Sequence, residues 1–562
     1  MIGGRRKPSR DCKDSRDGKD QRKQDLESSP VSLRSLPSLL SLSLVLLLAG
    51  CLLQILAGYS HPDLSGHAWG SDDAYISYRY AQHLASGQGL VFNPGERVEG
   101  FSNLLYVLLL TPAAALVSKE NLYAVSAGLN VVFALAALVL LYRFTMRRLG
   151  ARPAAAVAML VALCPAIWVW VASGLETPLV LLLQIAVWVL AEGVVEDREG
   201  SLKVLLLAAA LCVLARVDGF ITPFLAAGFL VLRGRWKAGL AVAATTVASF
   251  AGTTLWRLYY YGWPLPNTYY AKVTGALLLR LEAGGQQLLS VFLATGLLVS
   301  VAALAVAGVQ GLKGFSFRRR DLLPALSFPV VFAAGWLGYF VYVGGDFYSD
   351  RFLLALFPMG AWVLLALAAE SRNRRTAAVL VILLAVAQLA PLVRDPRYSY
   401  TLAKYDRWTT LGHFLGQTHR GEVIAIDGAG KVPFFSGLRT IDMLGLADVH
   451  IAHGKPDPKG YFWAGHAKSD LDYVLARQPD LISNWLAGRW GLQAGPVLEP
   501  EKLARGGYRL AYLVNADPHS KGEGRDILDV RNVAHDEIRR LRDAGYRTGV
   551  FERSGISPAA PR

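Results

Sequence analysis

The stretch Ser71-Asp72-Asp73-Ala74-Tyr75-Ile76-Ser77-Tyr78-Arg79-Tyr80 sets two adjacent carboxylates ahead of three tyrosines and an arginine, about a dozen residues after the first long apolar run ends. A carboxylate held near a membrane surface can take the proton of an attacking hydroxyl, a contribution of about 10²–10⁴-fold in rate. The chain stays polar and glycine-punctuated through Gly87-Gln88-Gly89-Leu90-Val91-Phe92-Asn93-Pro94-Gly95-Glu96-Arg97-Val98-Glu99-Gly100 and on to Asn103. We read this segment as the reacting end of a membrane-embedded enzyme, with Asp72 and Asp73 as catalytic candidates. The plain alternative is a helix N-cap followed by an acidic neighbour. The nearby membrane and the tyrosines favour the chemical role.

A leaving group that carries negative charge needs cations. Arg216 and Asp218 interrupt an apolar stretch at 203–232. A charge inside a membrane costs about 2.5–3.5 kcal/mol on insertion scales and marks a functional site by default. An Arg–Asp pair closing a tight turn explains them equally well. Glu176, in Ser173-Gly174-Leu175-Glu176-Thr177-Pro178, fits either a binding role or the first turn of a helix. The loop Tyr259-Tyr260-Tyr261-Gly262-Trp263-Pro264-Leu265-Pro266-Asn267-Thr268-Tyr269-Tyr270-Ala271-Lys272 is dense in rings. An interfacial belt accounts for many of them, but not for the prolines beside Asn267 and Lys272, which fix a loop. Stacked rings with a few polar hooks also suit a sugar or a lipid headgroup. Arg351 follows Gly345-Asp346 at the start of another apolar run. There it is badly placed for the helix dipole unless it meets a phosphate or a carboxylate such as Asp346 or Asp350.

The elements that must position these groups are membrane helices. The chain has 562 residues, 53% hydrophobic, with a mean hydropathy of +0.33 and a net charge of +15. Long apolar runs fill the chain up to about residue 395. The basic excess sits in the N-terminal tail and in short loops, so topology explains it and nucleic-acid binding is not expected. Residues 1–35 hold ten Lys/Arg and six Asp/Glu and read as a disordered, basic cytoplasmic tail. Spans are expected at about 36–59, 121–142, 153–172, 175–192, 203–216, 219–232, 237–258, 288–310, 322–343, 351–369 and 375–392, eleven in all. Residues 101–118 are apolar enough to span, and with 203–232 as a single span the total would again be eleven; the positive-inside tendency favours 101–118 lying along or dipping into the outer leaflet. With the tail inside, Arg143/Arg147/Arg148, Arg233/Arg235/Lys237, Lys313/Arg318/Arg319/Arg320 and Arg372/Arg374/Arg375 fall inside. The acidic motif and the C-terminal region then fall outside.

Residues 396–562 change composition and read as a small α/β domain, with strands near 422–427, 480–483 and 508–514 and helices near 401–417, 467–477 and 534–544. Gly428-Ala429-Gly430-Lys431 lacks the spacing of a phosphate loop. His450, His453 and His466 fit no standard metal spacing. Cys12, Cys51, Cys164 and Cys212 form no CxxC, and the outer regions have no cysteine for a disulfide framework.

The run from Asp72 to Tyr80 and the following Gly87–Gly100 segment resemble the first outer loop of GT-C glycosyltransferases, especially the terminal arabinofuranosyltransferases of the actinobacterial cell wall. The blocks at Ser173–Thr177, Arg216–Gly219, Pro266–Lys272, Gly345–Phe347 with Arg351-Phe352 and, weakly, Ile441-Asp442-Met443-Leu444-Gly445-Leu446 are similar to later blocks of that family. The resemblance implies a GT-C membrane domain at 36–395 and an acidic residue of the first loop as base. It also implies a polyprenyl-phosphate sugar as donor and a cell-envelope glycan as acceptor. Donor phosphate or sugar contacts are expected from Arg79, Tyr80, Glu176, Arg216, Asp218, Asn267, Tyr269, Lys272, Asp346 and Arg351. Some members bind a divalent cation (Mg, Mn or Ca) near the acidic motif, which would fall on Asp73 here. Arabinofuranose is the donor sugar of nearest resemblance; mannose or another hexose would use the same machinery. The expected setting is a bacterial cytoplasmic membrane, with the C-terminal domain extracytoplasmic. A lipid-linked glycan transporter is the alternative of another class, but transporters show internal repeats and midplane charges, and this chain shows neither. The C-terminal domain, with Tyr461, Phe462 and Trp463, is expected to hold the acceptor.

Overall fold

The computed structural model describes residues 36–57, 70–295, 297–313, 327–346, 350–370, 374–394, 406–456, 465–485, 500–515 and 526–554. The tail 1–35, the sites Tyr461, Phe462 and Trp463, and the basic loop Arg318–Arg320 lie outside these residues. In chain order the helices begin with α1 (Leu36–Ala57), α2 (Asp72–Ala85), α3 (Leu104–Leu116), α4 (Lys119–Leu149), α5 (Ala151–Ala162), α6 (Pro165–Ala172), α7 (Thr177–Val195), α8 (Ser201–Ala215) and α9 (Ile221–Leu232). They continue with α10 (Trp236–Tyr261), α11 (Asn267–Lys272), α12 (Leu277–Thr295), α13 (Leu297–Lys313), α14 (Phe328–Val343), α15 (Leu356–Glu370), α16 (Arg374–Leu389) and α17 (Pro391–Arg394).

Four of these, α1, α4, α7 and α10, are long and apolar enough to cross a bilayer, and up to six spans result if the bent pairs α5–α6 and α12–α13 each count once. The remaining apolar helices, including α8, α9, α14 and α15, are shorter. By length and composition, then, four to six of the eleven expected spans are seen as long apolar helices among the described residues, and others are shorter or bent. The reasons are local. Cys164-Pro165 breaks 153–172 with a 50° bend, because proline starts a helix but cannot continue one. The expected span 288–310 is two helices meeting at 104°. Helix α3 has 13 residues, about 20 Å at 1.5 Å per residue, short of the ~30 Å hydrocarbon core.

The C-terminal unit follows with α18 (Arg407–Thr418), β1 (Val423–Ile426), α19 (Lys431–Ser436), β2 (Arg439–Asp442), α20 (Val449–His453), α21 (Leu471–Ala476), β3 (Leu481–Trp485), α22 (Pro500–Arg505), β4 (Tyr508–Asn515), β5 (Ile527–Asp529), α23 (His535–Asp543) and β6 (Tyr546–Arg553). Its sheet has the order β2-β1-β3-β6-β4-β5. The first three strands are parallel and the rest pair antiparallel. The strands expected near 422–427, 480–483 and 508–514 are β1, β3 and β4; β2, β5 and β6 were not anticipated. Successive residues of a strand face opposite sides. Accordingly Ile424 and Ile426 pack with Trp408, Leu411 and Leu415, while Ala425 packs with Ile441, Ile451 and Ile482 on the other face.

The two units meet along α2 and the loop after it. Tyr75 sits against Phe434 and Phe435, with ring centroids 5.4 Å away in each case. Asn93 turns its side-chain amide onto edge strand β2: its Nδ2 donates to the Thr440 carbonyl at 2.8 Å and its Oδ1 accepts the Thr440 N–H at 3.0 Å. One asparagine thus completes the hydrogen bonding of a strand edge.

Candidate active site

Asp72 and Asp73 open α2 and diverge. The buried Asp72 carboxylate accepts the N–H of Gly430 on Oδ2 at 3.0 Å and of Lys431 on Oδ1 at 2.8 Å. The glycine-rich turn that superficially looked like a phosphate loop therefore does cradle an anion, the side chain of Asp72. Burial pushes this carboxyl up to about 6, and the two N–H donors offset part of that rise. Gly430 is required by proximity: a Cβ there would stand 1.9 Å from the Asp72 carbonyl oxygen. Lys431 is buried beneath the turn and its ammonium pairs with Asp406.

Asp73 instead lines a cleft enclosing about 870 Å³ including its open mouth, within the range of ligand pockets. The cleft brings together eight of the expected site residues: Asp73, Glu176, Arg216, Asp218, Tyr269, Lys272, Asp346 and Arg351. They come from the start of α2, the turn before α7, the α8–α9 turn, α11 and the segment after α14. Sequence reasoning missed Ser77, Asn103, Tyr339 and Phe352, which also line it. The α-helical spacing of Ser77 from Asp73 was the one readable signal.

Most of the charges are matched. Arg216 grips Asp218 with two hydrogen bonds of 2.8 and 3.0 Å and donates to Glu176 at 2.8 Å. The other Glu176 oxygen accepts from Asn103 at 2.8 Å, and Asn103 accepts from Ser77 at 3.1 Å. Tyr339 donates to Asp218 at 3.3 Å. Arg351 holds Asp346 in a two-pronged pair of 2.8 and 3.0 Å. The Phe352 ring lies 4.6 Å from the Arg216 guanidinium. Bidentate Arg–carboxylate pairs fix geometry as well as charge. So Arg216–Asp218 is both the internal pair at a turn and part of the cleft wall, and Glu176 serves as a tie rather than a helix cap.

Two charged groups in the cleft stand apart. Asp73 and Lys272 have no hydrogen bond or ion pair among the described residues, and both line the same space. Asp73 is also partly exposed, unlike its neighbour.

Four expected contacts fall elsewhere. Asp72 is held by the C-terminal unit, as above. The Arg79 guanidinium is spent on carbonyls, donating to Phe92 at 2.7 Å, to Leu438 at 2.8 Å and to Pro433. The Tyr80 hydroxyl donates to the Val98 carbonyl at 2.6 Å and accepts the Gly100 N–H at 2.8 Å. Asn267 donates its Nδ2 to the carbonyls of Gly445, Leu446 and Asp448 at 2.8–3.1 Å. None of the four lines the cleft; buried polar groups must be satisfied, and backbone carbonyls use up these donors. They build the seam between the units, which puts Leu446 of the C-terminal unit into the cleft wall.

A divalent cation finds no ready set of ligands. No group of three or more His, Cys, Asp or Glu could hold a metal ion among the described residues. Asp73 is the one cleft carboxylate there without an ion pair, whereas hard cations take several oxygens. Among the described residues the set does not fit the group. His450 pairs with Asp470 at 3.0 Å, and the His453 ring lies tilted against those of Trp263 and Tyr270.

A family described as a domain of unknown function (DUF8728) matches residues 397–521. No curated protein matches the chain. Among solved structures, ArnT from Cupriavidus metallidurans bound to undecaprenyl phosphate is similar with a TM-score of 0.52 and 12% identity, over 95% of this chain and 100% of that one. The Archaeoglobus fulgidus oligosaccharyltransferase in complex with Zn and sulfate gives 0.45 and 14%, over 72% of this chain and 62% of that one. This chain therefore spans less than two thirds of the length of that enzyme. Arabinofuranosyltransferase AftD from Mycobacteria gives 0.44 and 14%, over 94% of this chain and 40% of that one. Taken with the apolar helices, the likeness to ArnT establishes a multi-pass membrane protein of the GT-C fold carrying a C-terminal α/β unit.

Proposed function

We propose that this chain is a membrane glycosyltransferase that moves a sugar from a polyprenyl-phosphate donor to a cell-envelope glycan on the extracytoplasmic side of a bacterial cytoplasmic membrane. The observation that carries the proposal is the presence, in one cleft, of the Asp73 carboxylate and the Lys272 ammonium without an ion pair among the described residues, where the other lining charges are matched.

In the reaction, the acceptor hydroxyl oxygen attacks the anomeric carbon and a new C–O bond forms. Its proton passes to Asp73. The bond from the anomeric carbon to the phosphate oxygen breaks, and its electron pair leaves with the polyprenyl phosphate. Lys272 stabilises that growing charge. Arg216 and Arg351, each neutralised by its own carboxylate, hold the cleft in shape and add an oriented field. A single cleft carboxylate without an ion pair among the described residues supports one direct displacement, with inversion at the anomeric carbon, rather than a covalent sugar–enzyme intermediate.

The donor sugar of this reading is arabinofuranose, on the sequence resemblance at Asp72–Tyr80 and Gly87–Gly100. The test is a donor panel. Purified protein in detergent is given polyprenyl-phosphoryl arabinose or mannose and an oligosaccharide acceptor. Transfer from one donor by wild type, and its loss in Asp73→Asn, is the expected result. Undiminished transfer by Asp73→Asn removes Asp73 as base, and no transfer from any donor removes the function.

A further inference from the structure

Beside the cleft mouth lies a group of rings that the chemistry above does not use. Trp263 sits in the loop before α11, Tyr270 on α11, and His453 at the end of α20 in the C-terminal unit. The His453 ring lies 3.9 Å from that of Trp263 and 4.1 Å from that of Tyr270, tilted by 36° and 32°. Tyr270 meets Tyr269 edge-on at 5.6 Å, and Tyr269 lines the cleft. The rings are thus linked by contacts to the cleft wall at Tyr269. Trp263 is 40% exposed and His453 is exposed.

An interfacial belt spreads tryptophan and tyrosine singly around a protein. Here the rings cluster in tilted and edge-on contacts, Trp263 meeting Tyr270 edge-on at 5.9 Å, and one of them comes from the other unit. The cluster is also braced from below: the Lys468 ammonium donates to the Tyr270 carbonyl at 3.0 Å and to the Ala452 carbonyl at 2.5 Å, which ties α11 to α20. Burial and the Lys468 charge hold the His453 imidazole below its ordinary range. A ring is apolar on its faces and polar at its tip. A sugar ring is complementary, with C–H groups on its faces and hydroxyls at its rim. An exposed apolar group with polar edges marks a binding surface.

We propose that Trp263, His453 and Tyr270 form a shelf for a neutral acceptor glycan and pass its reacting end along Tyr269 into the cleft. This rests on the glycosyltransferase reading for its direction but not for its chemistry. The test measures saccharide binding directly. Full-length protein in detergent is titrated with an arabinofuranosyl tetrasaccharide and with mannotetraose, read by saturation-transfer NMR. Wild type is expected to bind at least one, Trp263→Ala and His453→Ala to weaken that binding fivefold or more, and Trp263→Tyr to retain most of it. Failure of wild type to bind either saccharide, or equal binding by both alanine variants, overturns the shelf. Transfer with an unchanged acceptor KM in both variants also overturns it and leaves the enzyme reading standing. Wild-type binding that both alanine variants lose, without transfer from any donor, supports the shelf and removes the enzyme reading.

Discussion

The Asp72 carboxylate accepts the main-chain N–H of Lys431 at 2.8 Å, across 359 positions of sequence. With the second bond from Gly430 it clamps the first residue of α2 to the turn that opens α19. The neighbouring Asp73 is thereby left free to face the cleft. One acid secures the C-terminal unit while the next lines the cleft, so docking and the proposed chemistry share a helical turn.

Loss of the clamp should loosen the seam. Asp72→Ala leaves two buried N–H groups unpaired, at about 1–3 kcal/mol each. Gly430→Ala drives a methyl group into the Asp72 backbone. Both variants are expected to lower Tm by several degrees in detergent and to speed protease cleavage between α17 and α18. A Tm unchanged in both would show that the ring contacts of Tyr75 alone secure the unit.

The clamp should also depend on pH. The Asp72 carboxyl, raised mainly by burial to about 6 from an ordinary 3.8, binds its proton more tightly when folded than when unfolded. Its contribution to stability is therefore fully present below pH 3.8 and lost as pH rises through 6. Asp72→Asn carries no such proton. The stability margin of wild type over this variant should shrink between pH 4 and pH 7, measured as the difference in Tm at each pH. A margin that grows over that interval contradicts the assignment.

Asp73 and Lys272 should separate chemistry from stability. Asp73→Asn is expected to lower kcat by about 10²–10⁴-fold, the span of general base catalysis, with Tm within a degree or two of wild type. Lys272→Gln should lower kcat by about 10-fold or more through lost stabilisation of the leaving phosphate, and Lys272→Arg should restore part of it. Single-turnover rates with a saturating donor read both effects. A kcat that falls only in step with Tm would make the two residues structural.

Much of this was legible in the residues, and the failures have physical causes. The blocks around Glu176, Arg216, Lys272 and Arg351 could be singled out because a charge within an apolar run is rare and costly. Their meeting in one cleft needed the fold. Arg79, Tyr80 and Asn267 carry equally polar side chains, but their donors go to backbone carbonyls up to 359 positions away, which no local pattern reveals. Equally hidden was the division of labour between Asp72 and Asp73, since adjacent helical residues point about 100° apart and only the C-terminal unit fixes which one is covered. Breaks within apolar runs were hidden for a related reason: hydropathy measures length of apolar sequence, whereas the bend at Pro165 depends on packing.

Glu99 and Arg257 supply the last prediction. They form a fully buried pair, with Arg257 Nε donating to the two carboxylate oxygens at 3.1 and 2.9 Å. The pair anchors the loop after α2 to the end of α10, and the Glu99 carbonyl accepts the Asn267 N–H at 3.0 Å. The next residues, Gly100 to Asn103, line the cleft. Removing one partner strands a charge in a place without water, a cost of about 3–5 kcal/mol, whereas removing both strands none. Glu99→Gln alone should therefore lower Tm more than the double variant Glu99→Gln/Arg257→Gln, a non-additivity read directly in a double-mutant cycle. Transfer activity should follow the same order, because the loop carrying the cleft wall moves with the pair. Additive effects on Tm would show that the two charges are solvated separately and that the loop is anchored by the Asn267 bond instead.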